Sequence, residues 1–185
     1  AGWPLANDWG VEIQHCCTGN ATRAIYFIWD HILEYSSGKL RVNLLLNRSS
    51  PWADVDSHIP YSGRVDVRVK SPCDLSVRIP EWVKPRETRC QVSGVDRSPE
   101  WDSRYARVGQ VKPGDLVTLT FPISERADEV WIEKRRYTIV RKGNEVVRID
   151  PPGLVCPLYR RDHYRSNETH WRKVARFVSN ETIHV

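Results

Sequence analysis

The sequence predicts a mainly β protein, an antiparallel β-sandwich preceded by a single helix. Short runs rich in Val, Leu and Ile recur from residue 39 onward, alternating with polar residues as a half-buried strand does. Clusters of Pro, Gly, Asn and Asp separate these runs as turns. Sustained helical spacing lies before residue 38.

Taken in order, residues 1–15 hold Trp3, Pro4, Trp9 and Gly10 with no period and read as a loop. Asn20 or Thr18 can cap a helix through its side-chain oxygen. Ala21, Ala24, Ile25, Ile28, Trp29 and Ile32 then recur at helical spacing, with Arg23, Asp30 and Glu34 nearer the polar side. Ser36-Ser37-Gly38 is expected to end the helix, with Gly38 free to turn left-handed. Residues 39–47 read as strand, and Pro51-Trp52-Ala53-Asp54 as a break. Clean alternation over 64–70 places Arg64, Asp66 and Arg68 on a solvent face. Further strands are expected at 75–79, 89–93, 105–108, 116–121, 137–141 and 146–149. Lys112-Pro113-Gly114-Asp115 and Lys142-Gly143-Asn144 read as turns between them. Many short strands at this spacing suggest a sandwich over about 39–124 and a second β-rich part over 125–185.

Composition narrows the function classes. The formal charge is +5, but arginines are spread along the chain, as in Arg64-Val65-Asp66-Val67-Arg68, and form no basic patch that would suit nucleic acid. No apolar run approaches a membrane span. The chain contains no Met, so residue 1 is not expected to be a natural translation start. Five cysteines, an odd number without paired spacing, do not suggest a disulfide framework and favour a cytoplasmic or other reducing compartment. Cys73, Cys90 and Cys156 lie in or beside strand-like sequence and read as inert small hydrophobes.

Candidate chemistry gathers in His15-Cys16-Cys17-Thr18-Gly19-Asn20. Two adjacent cysteines run into the start of a helix, where unpaired N–H groups and the dipole favour thiolate over thiol. Neighbouring cysteines rarely pair with each other, because a disulfide wants a wider Cα separation. On residue physics alone, two small apolar residues packed at a helix start is the preferred reading.

Several ordered motifs alter that weighting. His15-Cys16-Cys17-Thr18-Gly19-Asn20, Leu40-Arg41-Val42-Asn43-Leu44-Leu45-Leu46-Asn47-Arg48 and Ser76-Val77-Arg78-Ile79-Pro80-Glu81-Trp82 resemble glycoside hydrolase family 127, the β-L-arabinofuranosidases and their relatives. The resemblance continues through Asp150-Pro151-Pro152-Gly153 and His163-Tyr164-Arg165 to Trp171-Arg172-Lys173-Val174, nearly the whole chain. It implies an (α/α)6 barrel carrying the active site, followed by β-sandwich domains, with this chain as the C-terminal part. Residues 1–38 would then end the barrel, 39–124 form the first sandwich, and 125–185 form a second, partial domain. By the same resemblance Cys16 would be nucleophile and zinc ligand and Cys17 a zinc ligand; His15, next to Cys16 in the chain, would then lie near the pocket and contact substrate. The other zinc ligands and the acid/base glutamate would lie upstream, in the missing barrel. The implied partner is a carbohydrate, an L-arabinofuranoside or a related sugar. The alternative is a non-catalytic sandwich that supports the barrel or binds carbohydrate. Thr18-Gly19 stands where the best-known members tend to carry prolines, which bears on sugar identity.

Other candidates read as structural. Glu12 is a polar loop residue, and His31 a surface side chain. His58, His163, His170 and His184 lack ligand spacing. Glu81 and Glu100 read as strand-end residues rather than a glycosidase pair. Of the eight tryptophans, Trp82 is expected to be structural and Trp52 to face the barrel.

Overall fold

The computed structural model describes residues 15–132, 134–152 and 165, with the backbone alone for 15–18. By internal contacts the chain divides into two units, Ala1–Ile59 with Gly63–Pro122 and Pro60–Ser62 with Ile123–Val185.

The first unit opens with helix α1 (His15–Asp30) and continues as strands. These are β1 (Leu33–Ser36), β2 (Lys39–Val42), β3 (Arg48–Ser49), β4 (Ala53–Ser57), β5 (Arg64–Val69), β6 (Cys73–Arg78), β7 (Arg89–Val92), β8 (Val95–Asp96), β9 (Glu100–Asp102), β10 (Tyr105–Val111) and β11 (Leu116–Thr120). They form a five-stranded sheet in the order β1-β2-β6-β10-β9 and a six-stranded sheet in the order β3-β4-β5-β11-β7-β8. The period-2 pattern explains the packing. Leu40, Val42, Leu75, Val77 and Ala106 from one sheet and Val55, Val65, Val67, Val117 and Leu119 from the other are almost wholly buried in one core. Each such side chain contributes about 1.5–3 kcal/mol of burial. Among the described residues, the first unit is thus a β-sandwich preceded by one α-helix. Among the described strands all neighbours are antiparallel except β2 and β6, which pair in parallel because the chain crosses into the other sheet between them.

Four expectations are corrected. The helix ends at Asp30, not near Gly38, and residues 33–36 are a strand. Ser37 and Gly38 both have positive φ (50° and 76°) and close a two-residue hairpin between β1 and β2. That geometry matches the strands' right-handed twist, so Gly38 serves a hairpin rather than a helix end. Thr18 and Asn20 lie inside α1 rather than capping it, and Thr22 Oγ1 donates to the Gly19 carbonyl at 2.9 Å. The break at 51–54 is shorter than expected, since Ala53 already begins β4. Ser50 makes the turn there, its Oγ accepting from the amides of Trp52 (3.2 Å) and Ala53 (3.0 Å). Asp66 is buried, although its neighbours Arg64 and Arg68 are exposed.

The second unit contains a three-stranded antiparallel meander of β12 (Glu125–Ile132), β13 (Arg135–Lys142) and β14 (Glu145–Asp150). β12 was not legible in the sequence, because its run of Glu, Arg, Ala, Asp and Glu offers little apolar alternation. Buried Lys142 donates from Nζ to the Arg165 carbonyl at 3.0 Å, and Arg165 grips Glu125 with two bonds of 2.7 Å. That bidentate contact holds the Glu125 carboxyl below the usual range, against a smaller opposing effect of burial.

Candidate functional site: the cysteine-bearing helix

The backbone of His15, Cys16 and Cys17 lies in the first described turn of α1. Their side chains lie outside the described residues. Cys73 and Cys90 are both buried, and burial pushes their thiols up. Cys156, Glu12, His163, His170 and His184 fall outside the described residues.

The other end of α1 is fastened to the sandwich. Arg48 donates from Nη1 to the Trp29 carbonyl and, at 2.6 Å, to that of Asp30. Its guanidinium lies 4.1 Å from the centre of the Trp29 ring and 3.9 Å from the Asp30 carboxylate. One cation therefore satisfies C-terminal carbonyls, complements the helix dipole and stacks on an indole. Asn43 Nδ2 donates to the His31 carbonyl at 3.2 Å, while Tyr105 Oη donates to Asn43 Oδ1 at 2.8 Å. Phe27, Ile28, His31, Asn43, Leu44 and Tyr105 line a groove of about 410 Å³ at this junction. From Asp30 to Cys16 the helix extends roughly 21 Å.

Between these ends the helix is bare. Ile25, Tyr26, Phe27, Ile28 and Trp29 are 49–66% exposed. Consecutive large apolar residues exposed around a helix mark a surface meant to be covered.

For zinc, Cys16 and Cys17 offer two donors, fewer than the three or four protein ligands such sites use. Among the described residues no group of three or more His, Cys, Asp or Glu could hold a metal. The residues described here therefore do not make up a zinc site by themselves.

The remaining candidates are structural. Trp52 packs against the core and stacks on Tyr35 (centroids 4.9 Å, planes 10° apart), so it is not a free platform. Trp82 meets Phe121 edge-on at 5.7 Å, as its structural reading required. Glu81 pairs with Arg78 and Glu100 with Arg107, each carboxylate on its own arginine. His31 is exposed, its Nδ1 2.9 Å from the Phe27 carbonyl.

Sequence reasoning missed the Asp66 cluster. Thr118 Oγ1 (2.7 Å), Arg64 Nε (3.1 Å) and Arg64 Nη2 (2.9 Å) converge on this carboxylate, with His58 Nε2 at 3.2 Å. Burial opposes ionisation, but the hydrogen bonds from Thr118, Arg64 and His58 and the Arg64 charge outweigh it, so the carboxyl sits below its ordinary range. The available signal was the face shared by Asp66 with Arg64 two residues earlier; the register that brings Thr118 opposite Asp66 is long-range.

Comparison with solved structures finds the same fold in known proteins. The chain shares its fold with part of glycoside hydrolases of family 127. A β-L-arabinofuranosidase of that family from Geobacillus stearothermophilus T6 is 22% identical, with TM-score 0.53, over 71% of this chain and 23% of that one. A glycoside hydrolase is 20% identical with TM-score 0.58 over 78% of this chain and 28% of its own, and a family-127 β-arabinofuranosidase is 18% identical with TM-score 0.57 over 71% and 25%. The chain thus spans about a quarter of the length of the solved structures it matches. No family model and no curated protein matches it. Among the described residues no helix is long and apolar enough to cross a membrane.

Proposed function

We propose that the chain is the C-terminal part of a retaining glycoside hydrolase resembling β-L-arabinofuranosidases, with Cys16 as nucleophile. The observation that carries this reading is the helix itself: it bears Cys16 in its first described turn and leaves Ile25–Trp29 uncovered, on a fold shared with family 127. In this reading α1 closes a catalytic barrel built by an upstream part of the protein, and the sandwich begins at β1.

The Cys16 thiolate attacks the anomeric carbon, forming a C–S bond as the glycosidic C–O bond breaks. The leaving oxygen takes its proton from an acid supplied by the barrel; water, giving its proton to that same group, then attacks the anomeric carbon of the thioglycoside and releases the Cys16 thiolate, with net retention. His15 contacts a sugar hydroxyl. Zinc, when bound, would keep a thiol ionised, and Cys16 and Cys17 would need further donors from the barrel to hold it. In the complete enzyme Cys16→Ser is expected to abolish hydrolysis of aryl arabinofuranosides while circular dichroism stays unchanged. Retained turnover would reject the assignment.

A further inference from the structure

We propose that a groove at the β7–β9 edge of the sandwich binds an acidic sugar, a uronic-acid unit of an oligosaccharide. The groove measures about 570 Å³, within the range of small-ligand sites, and lies where edge strand β9 of one sheet meets β7 and β8 of the other. Its charge is unbalanced: Arg86, Arg89 and Arg97 line it with a single carboxylate, Asp96. That carboxylate is already engaged, accepting from Gln91 Nε2 at 2.8 Å.

Two of the arginines differ from six others among the described residues. Arg64, Arg78, Arg107, Arg136, Arg141 and Arg148 each face an acidic side chain within ion-pair distance. Arg86 and Arg89 are exposed and have no ion pair among the described residues. Arg97 is held in place by the carbonyls of Val108 (3.3 Å) and Gln110 (3.2 Å). Planar guanidinium groups with unused donors suit a carboxylate, which they can bind through two bonds.

Trp101 completes the site. It lies on edge strand β9, 36% exposed, and lines the same groove as the three arginines. An indole next to guanidinium groups fits a ligand with an apolar ring face and an acidic substituent. Ser98 is shared with a second groove of about 300 Å³, lined also by Asp74 and Glu100 with the Arg107 that pairs with both, and by Gln110. The choice of a sugar over other ring-bearing anions rests on the glycosidase reading above.

The test is calorimetric titration of the whole chain at low salt with trigalacturonate, maltotriose, ADP and inorganic phosphate. Trigalacturonate should bind at least tenfold more tightly than each of the other three. Arg86→Gln with Arg89→Gln, and separately Trp101→Ala, should each weaken it roughly tenfold, the scale of one lost charge-assisted or stacking contact. The exposed arginine pair keeps the test valid if the tryptophan variant misfolds by circular dichroism. The proposal is overturned by equal affinity for maltotriose, by tighter binding of ADP or phosphate, by no heat with millimolar trigalacturonate, or by unchanged binding in the arginine variant. Because no turnover is read, an active Cys16→Ser enzyme would reject the nucleophile and leave this measurement standing.

Discussion

Asp66 is the side chain whose environment departs furthest from what its neighbours in sequence suggest. Flanked by Val65 and Val67 in an alternating strand, it looks like one more solvent-facing charge; Thr118, fifty-two positions away, closes over it. Its stability contribution follows from the direction of the shift. A carboxyl held below its unfolded value stabilises the fold above that value and loses the contribution as pH falls through the folded one. Unfolding free energy should therefore hold from neutral pH to about 4 and decline below that. Asp66→Asn should flatten this acid limb and cost about 1–3 kcal/mol at pH 7 in urea titrations, because donors from Arg64 and Thr118 lose a charged acceptor. An acid limb identical to that of the parent chain would show that the carboxylate is not the titrating group.

Among the elements, legibility tracked how local the physics is. Strands β5, β6, β7, β10, β11, β13 and β14 announce themselves because apolar alternation depends on a few consecutive residues. The boundary between α1 and β1 does not, since Ile32 and Leu33 satisfy a helical stripe and a strand equally, and only the hairpin at Ser37-Gly38 decides between them. Likewise the cysteine pair stands out in sequence as two adjacent residues, whereas the three-arginine groove needed the edges of two sheets to be brought together. Gly63 illustrates a long-range constraint invisible in sequence. Its carbonyl accepts from the Phe121 amide at 2.8 Å, and a Cβ there would lie 1.9 Å from the Phe121 carbonyl oxygen. Gly63→Ala should thus separate the start of β5 from the end of β11 and cost about 1–3 kcal/mol, read as a lower unfolding midpoint with an unchanged denaturant slope. A midpoint equal to that of the parent would mean the backbone yields without penalty.

For the molecule as a whole, stability and exposure are divided between different parts. The core draws on both sheets and includes only Ile32 and Leu33 from the stretch next to α1, whereas the large apolar side chains of Ile25–Trp29 face outward. Replacing Ile25 and Phe27 with Ser should leave the unfolding free energy within about 0.5 kcal/mol, because neither side chain belongs to the core. The same change should reduce binding of a dye such as ANS and any concentration-dependent association. A large loss of stability would place these residues in the fold rather than on a surface awaiting cover.

The anchoring of α1 through Arg48 has a geometric consequence. A rod fixed near one end magnifies any rotation at its base: a tilt of ten degrees about Asp30 carries the far tip roughly 3–4 Å, given a lever of roughly 21 Å. Displacements of that size exceed what an in-line attack tolerates. If Cys16 is the nucleophile proposed above, the guanidinium that grips Trp29 and Asp30 helps to set its aim from the opposite end of the helix.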